Sequence, residues 1–333
     1  MKKTLIVTLC VILVLAISLF AACDPQGIKV NPDKQHYVVG ICQLVQHDAL
    51  DDATEGFIDA LTAELEKEGR TVEFDTQNAN NEPTMCSTII STFVSKNVDL
   101  IMANATSPLQ AAAAATSSIP VLGTSVTDYA TALEIENWTG VVGNNISGTS
   151  DLAPLDRQAD MITELFPDTQ KVAILYCSGE PNSKYQATEM AKYLAEKDIE
   201  TKEFSFADTN DVTSVTQNAC EYADVIYVPT DNTAASNTEA IANVVLPAGV
   251  PVVAGEKGIC TGCGVATLSI SYYDIGYQTG VMAAQVLLGK EDITKMAIAT
   301  APEVTKLYNE RNCETLGVTV PEGYSVISGT EAE

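Results

Sequence analysis

Histidine is almost missing from this chain. Of its 333 residues only His36 and His47 are histidines, so His47 has no well-placed second imidazole with which to complete a metal site. It reads as a helix cap or a ligand-lining side chain. Basic residues are scarce as well: 18 Lys and Arg stand against 44 Asp and Glu, a formal net charge of −26. Such a surface repels phosphate backbones and anionic headgroups, which excludes nucleic acid as a partner. Aromatic residues make up 6% of the chain and Trp138 is the single tryptophan. Sugar and nucleoside sites stack rings on aromatics, so a sugar or nucleoside ligand is the second reading here and not the first. G-x-S-x-G, H-E-x-x-H, Walker A and G-x-G-x-x-G are all absent. Nine cysteines are present, but Cys260-Thr-Gly-Cys263 is the only pair worth arguing. It lies late, in a Gly-rich stretch, and not at the start of a thioredoxin-like unit, and no second C-x-x-C completes a zinc site. Buried free thiols are expected. An extracellular enzyme would have to work through that loop, or through Asp231 or Glu256, without an identifiable nucleophile–base pair. Binding without catalysis, metal or cofactor is therefore expected.

Charge is also absent from the long apolar run near the start, Leu5 to Phe20, which follows Lys2 and Lys3 and ends at Ala21-Ala22-Cys23. This is the layout of a signal peptide over 1–22. Small residues directly before a cysteine resemble a bacterial lipobox, which implies lipid modification (palmitate) of Cys23. A tether over 23–36 would then hold a soluble body against the extracytoplasmic face of a membrane. An ordinary cleaved leader or an uncleaved anchor helix are the alternatives.

Beyond the leader, one design occurs twice. Asp99-Leu-Ile-Met-Ala-Asn-Ala-Thr-Ser107 and Asp224-Val-Ile-Tyr-Val-Pro-Thr-Asp-Asn232 each run from an Asp through an apolar strand into hydroxyl and amide residues before a helix. The stretches 38–42 and 172–176, 71–74 and 201–204, and 119–124 and 250–255 pair off around them in the same order. The period is too long for a solenoid. The expected fold is α/β: two doubly wound parallel-sheet lobes joined by three crossovers. The first lobe should span 37–143 plus about 272–300, and the second 144–271 plus about 301–330. Crossovers are expected near 141–148, 269–272 and 290–302, the first because Gly, Asn and Ser there tolerate unusual dihedrals. The helix from Tyr272 to Leu288 is extra to the repeat, and Gly276, Gly280, Ala283 and Ala284 on it allow close packing.

Ligands of open α/β sheets sit beyond the carboxyl ends of the strands. Thr106, Ser107, Thr124 and Ser125 fall at such ends in the first half, where helix amides favour a carboxylate. Asp231 and Asn232 do so in the second, joined by Asn182 and Ser183, with Gln43 on the facing loop. Each hydroxyl and acid also fits simple helix capping. Taken as a set they form a ligand site in which Asp231 pairs with an ammonium group.

Several stretches resemble the ABC-transporter substrate-binding lipoproteins of the tryptophan/tyrosine-binding family, which have a type I periplasmic binding fold. They are Gln43 with His47 and Leu50-Asp51, Asn145-Ile-Ser-Gly-Thr-Ser-Asp151, Asn182-Ser183, Pro229-Thr-Asp-Asn232, 273–280 and Leu316-Gly-Val-Thr-Val-Pro321. The chain departs from the family at Asp48, at 104–107 and at Cys260–Cys263. The resemblance implies an extracytoplasmic receptor that closes on a small zwitterion, an amino acid and an aromatic one in particular, and docks on membrane permease subunits.

Overall fold

The computed structural model describes residues 27–301 and 303–331. The expected signal peptide and Cys23 lie outside the described residues. The second part of the expected tether lies along the body: Lys29 N–H donates to Ser118 O at 2.7 Å, and Ile28 and Val30 pack against the first core.

The first half alternates β1 (His36–Gln43), α1 (Asp48–Lys67), β2 (Thr71–Asn78), α2 (Pro83–Lys96), β3 (Leu100–Asn104), α3 (Thr106–Ala115), β4 (Val121–Val126), the short α4 (Tyr129–Ala132) and β5 (Ile146–Ser150). The second continues with α5 (Leu155–Leu165), β6 (Lys171–Cys177), α6 (Pro181–Ala195), β7 (Glu200–Phe206), α7 (Val212–Tyr222), β8 (Val225–Val228), α8 (Asn232–Ala235), α9 (Thr238–Ala248), β9 (Val252–Ala254), α10 (Lys257–Gly262) and β10 (Ala266–Ser269). α11 (Tyr272–Leu287), β11 (Ala299–Thr300), β12 (Thr305–Tyr308), α12 (Glu310–Leu316) and β13 (Ser325–Val326) finish the chain. One sheet has the order β11-β5-β4-β3-β1-β2 and the other β13-β12-β10-β9-β8-β6-β7. All pairs are parallel except β10 with β12. Because side chains alternate along a strand, β1 sends Tyr37, Val39 and Ile41 to a core under α1 and α11, and Cys42 to another under α2 and α3. The second sheet is likewise covered on both faces, as parallel sheets require.

The two aspartates that open the repeat do the same work. Asp99 accepts from Val38 N–H at 2.7 Å, and Asp224 accepts from Gln170 and Lys171 N–H at 2.9 Å each. Each ties its own strand to the start of the neighbouring one.

One boundary moves. Ile146–Ser150, placed in the second lobe by the expected break at 144, is a buried strand of the first sheet. Its Gly148 serves close approach and not hinging: a Cβ there would lie 2.0 Å from Gly123 O. Its hydroxyls are satisfied inside the lobe, Ser147 donating to Met296 O and Thr149 bonded to Thr124 and Thr279. The chain therefore passes between sheets just after Ser150, again between β10 and α11, and a third time between β11 and β12.

Helix α11 lies against α1 backbone to backbone. A Cβ on Gly276 would meet Ala53 O at 2.0 Å, and one on Gly280 would meet Phe57 O at 2.5 Å. Gly276→Ala is expected to destabilise the protein by roughly 1–3 kcal/mol through overpacking, read as a lower urea midpoint with an unchanged slope.

Candidate functional site

The carboxyl ends of both sheets face each other, and the lobes touch. His47 Nε2 lies 3.2 Å from Asn232 Oδ1, and Asn81 Nδ2 donates to Thr233 Oγ1 at 3.0 Å. Between them runs a nearly closed slot of about 10 Å³, room for little more than one water molecule. That is far below the usual range for ligand pockets, roughly 300–1,000 Å³, so a ligand needs the lobes to part. The first lobe contributes His47, Leu50 and Ser125. The second contributes Asn182, Thr230, Asp231, Asn232, Ala235 and Glu256, and the crossovers add Asp151 and Tyr272.

Three carboxyl groups dominate its electrostatics. Asp231 is 1% exposed; its Oδ1 caps α8 by accepting from Ala234 N–H at 2.7 Å, and its Oδ2 accepts from Cys177 N–H at 2.6 Å. Burial, and then the nearby Glu180 carboxylate, push it up to about 8 against the pull of those two donors. Asp151 accepts from Thr127 Oγ1 and from Tyr272 OH, both at 2.9 Å. Glu256 caps α10 through Gly258 and Ile259 N–H. Burial raises both of these acids as well, with His47 pulling Glu256 down. A positive group entering the slot would relieve all three at once.

The opposite wall is different. Ser125 Oγ is buried and finds no hydrogen-bond partner in the protein, and its backbone sits in the left-handed region at φ 54°. Nearby at the end of β3, Ala105 has φ 98° and ψ 169° just before α3, a conformation costly for any residue with a Cβ. Strain of this kind clusters where ligands are gripped.

Of the nine residues singled out in the sequence, Ser125, Asn182, Asp231 and Asn232 line the slot. Ser183 stands one layer behind, hydrogen-bonded to Asn182 and to Thr230 O. Ser107 faces a neighbouring cavity at the mouth, and Thr106 is buried at the start of α3. Gln43 turns into its own lobe, bonded to Val45 O, Asp51 and Thr54, and Thr124 is held by Thr149. Asp151, Thr230, Glu256 and Tyr272 also line the slot without having been assigned to it. Asp151 and Tyr272 lie where the chain changes lobe, and Asp-Leu-Ala-Pro after a strand was the one local signal for the first of them.

His47 is engaged with Asn232. Burial keeps the Cys177 thiol protonated, pushed up to about 11, and holds Cys260 and Cys263 higher still. The seven described cysteines are free thiols. Among the described residues no group of three His, Cys, Asp or Glu is placed to hold a metal ion, and no helix is long and apolar enough to cross a membrane.

The family model described as "ABC transporter substrate binding protein" matches residues 38–331. The tyrosine-binding protein of Clostridioides difficile (strain R20291) is 32% identical over 322 residues, covering 95% of this chain and 93% of that one. A Streptococcus pneumonia ABC domain in complex with L-Trp superposes with a TM-score of 0.83 at 28% identity, covering 88% of this chain and all of that one. The ligand-free, open structure of CD0873, a substrate-binding protein from Clostridium difficile, is 32% identical over 87% of this chain and 99% of its own, yet reaches only 0.66. The structure nearer in sequence is the further in shape.

Proposed function

The chain belongs to the ABC transporter substrate-binding protein family, and from that footing we propose that it captures an aromatic amino acid between its lobes and delivers it to a membrane permease. The observation that carries this is the division of the slot: three buried carboxyl groups gather on the second lobe and the crossovers, while an unpartnered hydroxyl waits on the first. A zwitterion answers both. Its ammonium sits among Asp231, Asp151 and Glu256, and its carboxylate accepts from Ser125 Oγ–H. The ligand thus touches both lobes and favours their closed form over the open one by its differential contacts. Leu50, Ala235 and Tyr272 are the apolar lining that an aromatic side chain would meet there. The names of the tyrosine-binding relative and the L-Trp complex support the same reading. The chain carries out no catalysis in this role, and a lipid on Cys23 holds it at the extracytoplasmic face, which the mass of the amino-terminal peptide from membranes would reveal.

A thermal-shift panel tests the ligand class, since only what binds the folded state raises the melting point. L-tyrosine and L-tryptophan are expected to do so, and glucose and adenosine are not; a shift with the sugar or nucleoside alone overturns the reading. Ser125→Ala is expected to weaken amino-acid binding by roughly tenfold or more, the value of a hydrogen bond to a charged group, by calorimetry.

A further inference from the structure

A second set of contacts joins the lobes beside the slot. Glu180, on the loop between β6 and α6, is buried at 6% exposure and borders the neighbouring cavity between the lobes. One of its carboxylate oxygens accepts from Thr233 N–H and Thr233 Oγ1–H, both at 2.8 Å. The other accepts from Asn232 N–H at 3.0 Å, Asn232 Nδ2 at 2.8 Å and Asn182 Nδ2 at 3.2 Å. With the hydrogens of Thr233 Oγ1 and Asn232 Nδ2 committed to Glu180, the lone pairs of Thr233 Oγ1 and Asn232 Oδ1 are turned outward as acceptors, polarised by the charge behind them. The first lobe supplies the donors. Asn81 Nδ2 reaches Thr233 Oγ1 at 3.0 Å, and His47 Nε2 reaches Asn232 Oδ1 at 3.2 Å.

Asn81 is prepared for this. Asn80 and Asn81 adopt consecutive left-handed conformations, φ 52° and 63°, a costly arrangement that asparagine tolerates better than most residues. The turn is fastened to β1 by Asn81 N–H donating to Leu44 O at 2.8 Å and to β2 by Asn80 N–H donating to Asn78 Oδ1 at 2.7 Å. The amide is thus held toward Thr233 by bonds within its own lobe.

We propose that the Asn81–Thr233 hydrogen bond, backed by Glu180, is a latch between the lobes that sets how long a captured ligand is retained. Asn81 and Thr233 are positioning residues: neither lines the slot, and both border the neighbouring cavity between the lobes. The proposal rests on the capture function above, and it gives the closed form a stability of its own, so that the ligand need not supply all of it.

The test separates release from capture. Asn81→Gly keeps the left-handed backbone and removes the amide, and Thr233→Val removes the hydroxyl together with its hydrogen bond to Glu180. With L-tyrosine as the probe in stopped-flow fluorescence, each variant is expected to release ligand about 3- to 10-fold faster, the worth of one net hydrogen bond, with an association rate close to the parent's. The double variant should be no faster than Thr233→Val alone, because once the hydroxyl is gone the Asn81 amide has no contact left to lose. Unchanged release rates, or effects that multiply, overturn the latch. If the parent protein does not bind L-tyrosine, the ligand reading fails instead, and the latch is read without ligand by small-angle X-ray scattering. A larger radius of gyration in Asn81→Gly than in the parent supports it, and an equal radius overturns it.

Discussion

Asp231→Ala will lose binding and stability together. Both oxygens of Asp231 accept buried backbone N–H groups, one from the end of β6 and one from the first turn of α8. Alanine leaves two donors without an acceptor, at about 1–3 kcal/mol each, so unfolding free energy should fall by roughly 2–6 kcal/mol. Loss of the partner of a buried ammonium costs about 2–5 kcal/mol more on the binding side, at least about 30-fold in affinity. Asp231→Asn is no safe substitute, since its amide nitrogen would face one of the same N–H donors. Urea melts and calorimetry read the two losses separately. A variant with the parent's midpoint and the parent's affinity would remove Asp231 from both roles. Helix cap and ligand partner, which look like rival readings of one carboxylate in the sequence, are compatible here because capping leaves each oxygen a second lone pair.

The second large effect is in pH. An unfolded aspartate titrates near its ordinary value of 3.8, whereas Asp231 in the folded protein is held up to about 8. Between those values the folded state binds a proton that the unfolded chain has released, so stability falls as pH rises through that window and levels off above it. Asp151 and Glu256 are raised in the same direction and add to the slope. The melting point of the ligand-free protein should therefore drop steadily from pH 5 to pH 8. An ammonium seated among the three acids favours their charged forms, so saturating L-tyrosine should flatten the profile and release protons on binding. The analogue lacking the amino group should not. A slope that L-tyrosine leaves untouched would show that its ammonium does not sit there.

The framework was legible because it is written locally. Short β-branched runs ending at polar residues announced the parallel strands, and the matching Asp99 and Asp224 announced the duplication that both sheets display. The site was legible only in part. Strand periodicity put Thr124 and Ser125 on opposite faces, and only the fold decides which face meets the cleft: Thr124 turned to Thr149 and Thr279, partners far along the chain. Gln43 went the same way, toward Thr54 and Asp51. Glu180 is one acid among 44, and nothing beside it in sequence foretells the five donors that a loop more than fifty residues later and its own neighbour Asn182 deliver. The stretch 141–148 looked like a hinge from its composition, yet Gly148 at its end answers a steric demand made by another strand.

The crossing of α11 over α1 also governs when the chain can fold. The first sheet takes its early strands from residues 36–126, but of the two helices that cover one of its faces only α1 is made with them; α11 emerges after the second lobe's strands up to β10. At about 5–20 residues per second of synthesis, that leaves the face covered by α1 alone for roughly ten to thirty seconds. The first lobe is completed only after most of the second has been made.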